Sequence, residues 1–206
     1  MIKIDLANEP TSFDQNVRVP GSDYLASLAG SPVDFSNREY WRRCLTDLHS
    51  AYNSICAYTC HWIPLDTGSD TVEHFVAKKT DPDLAYEWSN FRLVCGRLNS
   101  RKGIHSDVVD PFAVSPGMFE LDFPSLQIME GLNIGARKSS LALSTISRLK
   151  LNDERCLRMR QQYVEELRDG HISFDYLERH APFLAYEIDR QGIRNNLHTV
   201  MKSFLN

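Results

Sequence analysis

The chain has no apolar run long enough to cross a bilayer, no internal repeat and no low-complexity segment. A spanning helix needs about 20 consecutive apolar residues, so no membrane association is expected. It also has no excess of positive charge: 23 Lys and Arg stand against 27 Asp and Glu, a formal net charge of −4. Proteins that bind nucleic acid indiscriminately are usually basic, so the total argues against that class. A local basic groove stays compatible with it, because the local field matters more than the sum. The opening MIKIDLANEP lacks a basic region followed by an apolar stretch, so no secretory leader is expected. The five cysteines are odd in number and irregular in spacing, which gives no disulfide framework. These absences point to a reduced, cytoplasmic protein. What is present is ordinary for a globular chain with a real core: 206 residues, 42% hydrophobic and 24% charged. That length suits one domain, or one domain with an appendage.

Residues 1–35, with Pro10, Pro20, Gly21, Gly30 and Pro32, read as an irregular arm with one short strand at IKIDL. SNRE at 36–39 has capping-box spacing, with Ser36 as cap and Glu39 reaching back. Trp41, Cys44, Leu45, Leu48 and Tyr52 follow at helical spacing, so a helix over about 38–53 is expected. SICAYTCHWI reads as a strand, LDTGSD as a turn and TVEHFV as a second strand, together a hairpin. TDPDLAYEW is a loop, NFRLVC a short apolar run, and NSRKG a polar helix start or turn. DVVDPFAVSPGMFELDFPSLQI suggests short strands and loops. From about Arg137 the chain is mostly helical. Asn152 is expected to cap one helix, whose apolar stripe is Cys156, Leu157, Met159, Tyr163 and Leu167. A last helix or two is expected through FLAYEI to the C-terminus.

The pair Glu73-His74 raises the functional question. Successive strand side chains face opposite ways, so one of the two turns inward unless the strand borders a cleft. The pair is either an ordinary polar strand end or half of a metal site. Downstream stand Trp88-Ser89-Asn90, Cys95 and Asn99-Ser100-Arg101-Lys102. Each has a plain alternative: Asn90 as a turn cap, Asn99 as the cap of a short helix, Lys102 as a solvated lysine.

In order and separation, TVEH, WSN and LNSRKG resemble the HNH nucleases. Their ββα-metal fold sets a hairpin against a short helix around one divalent ion. The stretches ICAYTC, EHF.AKK, LAYEWSNFRL and ISRLKLN are similar to an HNH subfamily found beside ATPases in bacterial anti-phage systems of Septu and retron type. The resemblance implies an α+β fold: an arm (1–35), an HNH module (36–112), and a mainly helical C-terminal region (113–206) packed on it. It places Glu73 and His74 on the second strand of the hairpin. It implies Mg²⁺ or Mn²⁺ held by Glu73 and Asn99, His74 as general base, and Asn90 fixing the loop and orienting His74 by a hydrogen bond. Unperturbed histidine titrates near neutrality, which suits proton abstraction from water. Lys102 would contact the scissile phosphate, and Arg92, Arg97 and Arg101 would hold backbone phosphates. The implied function is DNA hydrolysis with an ATPase partner. One such site cuts one strand, so a double-strand break needs a homodimer or two nicks. An RNA target and a catalytically silent binding module stay open. His61 and His105 are tempting further ligands, His105 falling beyond the expected helix position.

Many HNH proteins carry two CxxC pairs around a structural zinc. Here the places read CAYTC and CGRLN, with Thr59 and Leu98 where second cysteines would stand and Cys60 one residue late. No structural zinc is expected, and Cys56 and Cys95 are expected to be buried as small apolar residues.

Overall fold

In a computed structural model of the chain, which describes residues 1–197 and 199, helices and two short antiparallel hairpins make an α+β protein. Among the described residues no helix is long and apolar enough to cross a membrane. The chain divides into two units: residues 5–56 with 63–106, and residues 1–4 and 57–62 with the rest of the chain from 107 on.

The first unit opens with a π-helical turn (Asp14–Arg18) running into α1 (Val19–Ser27), so much of the expected irregular arm is helical. Pro20 sits in the first turn of α1, where its ring presets a helical φ, and the Asn16 carbonyl one turn back accepts from Arg43 Nη1 at 3.1 Å. Gly21 is required there: a Cβ would lie 2.2 Å from the Tyr86 ring. The segment before α1 is tied down by polar bonds. Trp88 Nε1 donates to the Ala7 carbonyl at 2.8 Å, and Arg18 Nε reaches Glu87 at 3.1 Å.

The single helix expected over 38–53 is two pieces, a 3-10 turn (Tyr40–Cys44) and α2 (Leu45–Ala51), with the break at Cys44 (φ −101°, ψ 12°). Ser36 does not cap it. Its own N–H is held by Asp34 Oδ1 at 2.9 Å, and the cap position of the 3-10 turn falls at Glu39, three residues further on.

The hairpin also differs from expectation. β1 (Asp70–His74) pairs with β2 (Phe91–Cys95) in the register Asp70↔Cys95 to His74↔Phe91. TVEH is therefore the first strand and NFRLVC its partner. SICAYTCHWI forms no strand of that sheet; Cys60 takes φ +53°, which ends any extended run. The β1–β2 connection runs over residues 75–90, through 3-10 turns at Pro82–Tyr86 and Trp88–Asn90. α3 (Gly96–Lys102) follows β2 directly. Gly96 lets this junction close, because a Cβ would lie 2.6 Å from Ser69 Oγ.

The second unit holds β3 (Phe119–Asp122) and β4 (Gln127–Glu130), then α4 (Ala136–Leu149), α5 (Glu154–Arg168), α6 (Phe174–His180) and α7 (Pro182–Arg190). The expected strands and helices of this region are present, with two corrections. Asp153, not Asn152, caps α5, accepting from the Cys156 N–H at 2.9 Å. Asn152 instead bonds both N–H and C=O of Ile128, at 2.8 Å each. The buried stripe of α5 is Cys156, Arg160, Tyr163 and Val164. Arg160 enters the core because it can donate to the Leu126 carbonyl (2.7 Å), the Leu151 carbonyl (2.9 Å) and Asn152 Oδ1 (3.1 Å). The helix expected at the extreme C-terminus lies outside the described residues.

Candidate active site

The β1–β2 hairpin is covered on both faces. Thr71 and Glu73 meet α3, while His74 meets the aromatic side chains of the 3-10 turn and of β2. This is the period-two alternation of a strand, with polar groups buried on each side. At the end of β1 a cavity of about 170 Å³ has Glu73, His74, Lys78 and Asn99 in its wall. A second, of about 390 Å³, shares His74, Lys78 and Asn99 and adds Trp41, Arg42, Asp70 and Thr71. Glu73 and His74 of the TVEH stretch and Asn99 of LNSRKG thus meet at one cavity wall, while Arg101 and Lys102 line neither cavity.

His74 is 7% exposed and packs edge-on against Trp41 (ring centroids 4.8 Å) and Phe91 (5.1 Å). Its Nε2 lies 3.0 Å from the Ala85 carbonyl oxygen. A carbonyl only accepts, so Nε2 carries the proton and Nδ1 keeps the lone pair. Burial lowers the imidazole's pKa to about 4, outweighing the raising effect of the Ala85 bond, with Lys78 and Lys102 lowering it further. The ring is neutral at neutral pH, with a free lone pair on Nδ1, and the lowered pKa makes it a weaker proton acceptor than a solvated imidazole.

Glu73 and Lys102 form a buried ion pair, each side chain 1% exposed, with Nζ 2.6 Å from Oε1. The same ammonium donates to the carbonyls of His74 (2.9 Å) and Phe75 (2.5 Å). Three acceptors match its three protons. The expected phosphate contact does not suit a lysine so placed: its protons point into the protein, and it locks the end of β1 onto α3. Arg92 is buried likewise, donating from Nη1 to the carbonyls of Ser89 (2.8 Å) and Phe91 (2.9 Å). Arg101 is half-buried in the last turn of α3 and lies in neither cavity wall. Arg97 is half-buried in the first turn of that helix.

Asn99 is half-buried, and its Nδ2 donates to Thr71 Oγ1 (3.0 Å) and the Val72 carbonyl (3.3 Å). Thr71 gives its own proton to the Val94 carbonyl at 2.6 Å, so it must accept from Asn99. Both contacts demand a donor, which leaves Oδ1 as the oxygen that can act as a ligand. Asn90 is 5% exposed and pins the β1–β2 connection: Oδ1 accepts from the Val76 N–H (2.8 Å), and Nδ2 donates to the carbonyls of Val76 and Leu84 (3.0 Å each). The loop-fixing part of its expected role is present. The direct bond to His74 is not, because all its polar groups are already engaged; it acts one residue away, by holding Leu84 beside Ala85.

Glu73 and Asn99 supply a carboxylate and an amide oxygen, the donor types a hydrated Mg²⁺ or Mn²⁺ accepts. Lys102 neutralises the carboxylate, so the protein adds little net charge and most of the coordination would fall to water. Among the described residues no group of three or more His, Cys, Asp or Glu gathers as a metal cluster. Cys56 is buried and Cys95 half-buried; the Cys95 N–H points at Cys56 Sγ (3.5 Å), and the thiol contact and burial push Cys95 far up. His61 belongs to the other unit, against Tyr163, and His105 is exposed in the turn after α3.

Lys78, Thr71, Trp41 and the Ala85 carbonyl are site members that residue-by-residue reasoning passed over. Lys78 was visible as the first lysine of EHFVAKK. The others carry no signal of their own, Trp41 reading as one more residue of a helical stripe. No family model and no curated protein matches the chain.

Proposed function

We propose that the chain is a metal-dependent endonuclease of HNH type that hydrolyses phosphodiester bonds of DNA. The observation that carries the reading is His74: a buried, neutral imidazole, fixed by the Ala85 carbonyl, sharing a cavity wall with Glu73 and Asn99. Hydrogen bonding at Nε2 leaves Nδ1 to take the proton of a water. The water oxygen then forms a bond to phosphorus and the P–O3′ bond breaks, leaving 5′-phosphate and 3′-hydroxyl ends, the departing oxygen being protonated from solvent. Glu73 and Asn99 would hold the divalent ion, whose chemistry is to polarise the phosphate and stabilise the departing oxygen. Asn90 is a positioning residue, acting through the 76–85 segment.

By the same resemblance, the chain acts in the cytoplasm as the nuclease effector of an anti-phage system with an ATPase partner. Copurification with an ATPase supports that; strong sequence-independent DNA binding by the lone chain speaks against it. The test of the activity is nicking of supercoiled plasmid with Mg²⁺ or Mn²⁺, alongside matched RNA, by the native chain and His74→Ala.

A second reading, a silent binding module with an HNH-like shell, draws on the Glu73–Lys102 pair, which ties up a carboxylate the ion would need. Binding of nucleic acid or of a partner, with no nicking under any condition, would favour it.

A further inference from the structure

We propose that Lys78 is the phosphate-binding group of this cleft, holding a non-bridging oxygen of a nucleic-acid backbone beside His74. The inference rests on the reading above for its substrate, and on separate observations for its residue. Lys78 lies in the walls of both cavities together with His74 and Asn99. Two of the cations expected to meet phosphate are committed elsewhere, Lys102 to Glu73 and two carbonyls and Arg92 to two carbonyls, and the other two, Arg97 and Arg101, lie in neither cavity wall. Arg42, at the rim of the larger cavity, pairs with Glu39 at 3.0 Å.

Lys78 has a different environment. Among the described residues it makes no ion pair. Its Nζ stands 4.9 Å from the centroid of Trp41 and 5.9 Å from that of Phe35. The side chain is half-buried, and burial lowers its pKa. An ammonium partly withdrawn from water and faced by rings keeps its direction through cation–π attraction, yet retains most of its demand for an anion. Glu39 and Glu73 act on it through space without closing a contact. An arriving phosphate oxygen satisfies that demand, and a lysine does this as a point charge, without the bidentate geometry of arginine. The cleft gains a cation at the place where Lys102 cannot serve.

Trp41 under the ammonium joins this site to His74, since the same indole packs edge-on against the imidazole. The base and the phosphate-holding group are thereby set on one aromatic support.

The test is binding of fluorescein-labelled DNA and RNA oligonucleotides of one sequence, in chelator so that no cleavage occurs, over a range of salt. Native chain, Lys78→Met and Lys78→Arg are compared, with inorganic phosphate as competitor and thermal melts to check folding. The expected result is about tenfold weaker binding for Lys78→Met, on DNA and RNA alike, with the salt slope reduced by about one, and near-native binding for Lys78→Arg. Nicking by Lys78→Met should fall further than binding, about a hundredfold. Unchanged affinity and slope in Lys78→Met overturn the assignment, as does a native chain that binds neither oligonucleotide. Displacement by inorganic phosphate at concentrations no higher than the oligonucleotide's own phosphate overturns the nucleic-acid backbone as the ligand. A native chain that binds through Lys78 but nicks nothing removes the nuclease reading while leaving the site in place.

Discussion

The two hairpins of this chain are built on opposite plans. β3 and β4 alternate as amphipathic strands do: Phe119, Leu121 and Ile128 are buried, while Gln127 and Met129 are exposed. Their turn is short and their register Phe119↔Glu130 to Asp122↔Gln127. β1 and β2 break the pattern. Val72, Glu73 and His74 are buried in succession, and so are Phe91 to Val94. Burial of a carboxylate, an imidazole and a guanidinium within five-residue strands is costly unless each is satisfied. Lys102 contributes to this for Glu73 at Oε1, the Ala85 carbonyl for His74, and the carbonyls of Ser89 and Phe91 for Arg92. One hairpin is a packing element; the other is a site whose polar groups are carried inside.

Several changes would test that contrast. Lys102→Met removes the ammonium that meets the buried Glu73 carboxylate and should destabilise the fold by about 3–5 kcal/mol, read by urea unfolding. Pairing it with Glu73→Gln should recover a good part of the loss, and failure to recover any would mean that Lys102 acts mainly through the two carbonyls.

The pH dependence should be nearly as large. In the fold His74 holds its proton only below about pH 4, against 6.5 for the unfolded value. As pH falls from 6.5 the unfolded chain protonates first, so stability declines down to about pH 4 and is flat below for this group. The difference amounts to about 3 kcal/mol. His61, whose burial lowers it to about 3, adds a decline of the same sign. The native chain should therefore lose more stability over this window than His74→Gln, and equal losses would show that His74 is not held neutral.

Asn90→Ala removes the partner of the Val76 N–H and C=O and one of the bonds to the Leu84 carbonyl, and should cost about 2 kcal/mol. It should also lower nicking, because the 76–85 segment carries the carbonyl that orients His74. Met129→Thr on the exposed face of β4 should shift stability by less than about 0.5 kcal/mol. A large effect there would make the second hairpin something other than a simple packing element.

How much of this was legible beforehand differs between the same two regions. The alternating β3–β4 segment and the helices after it follow from local pattern. In the first unit Glu73, His74 and Asn99, which share a cavity wall, stand out by their order in the sequence, but the strand pairing that carries them does not. LDTGSD looks like a hairpin turn, and SICAYTCHWI has strand composition, so a local reading pairs TVEHFV with the segment before it. The real partner lies across a connection of two 3-10 turns, which local alternation cannot specify. Lys102 misleads for a related reason: a lysine near a polar helix end normally faces water, and only the inward carboxylate of Glu73 explains its burial. Asn152 lost the cap to Asp153 because its amide matches both backbone groups of Ile128, a tertiary contact invisible in sequence.

We propose His74 as a base poised over a metal-dependent cleft, and the measurement that decides it is nicking of supercoiled plasmid with Mg²⁺ or Mn²⁺, with and without any copurifying partner, by the native chain and by His74→Ala shown to be folded. Metal-dependent nicking by the native chain that disappears in the variant is expected. Equal nicking by both, or none by the native chain under any condition while it still binds nucleic acid, would contradict it.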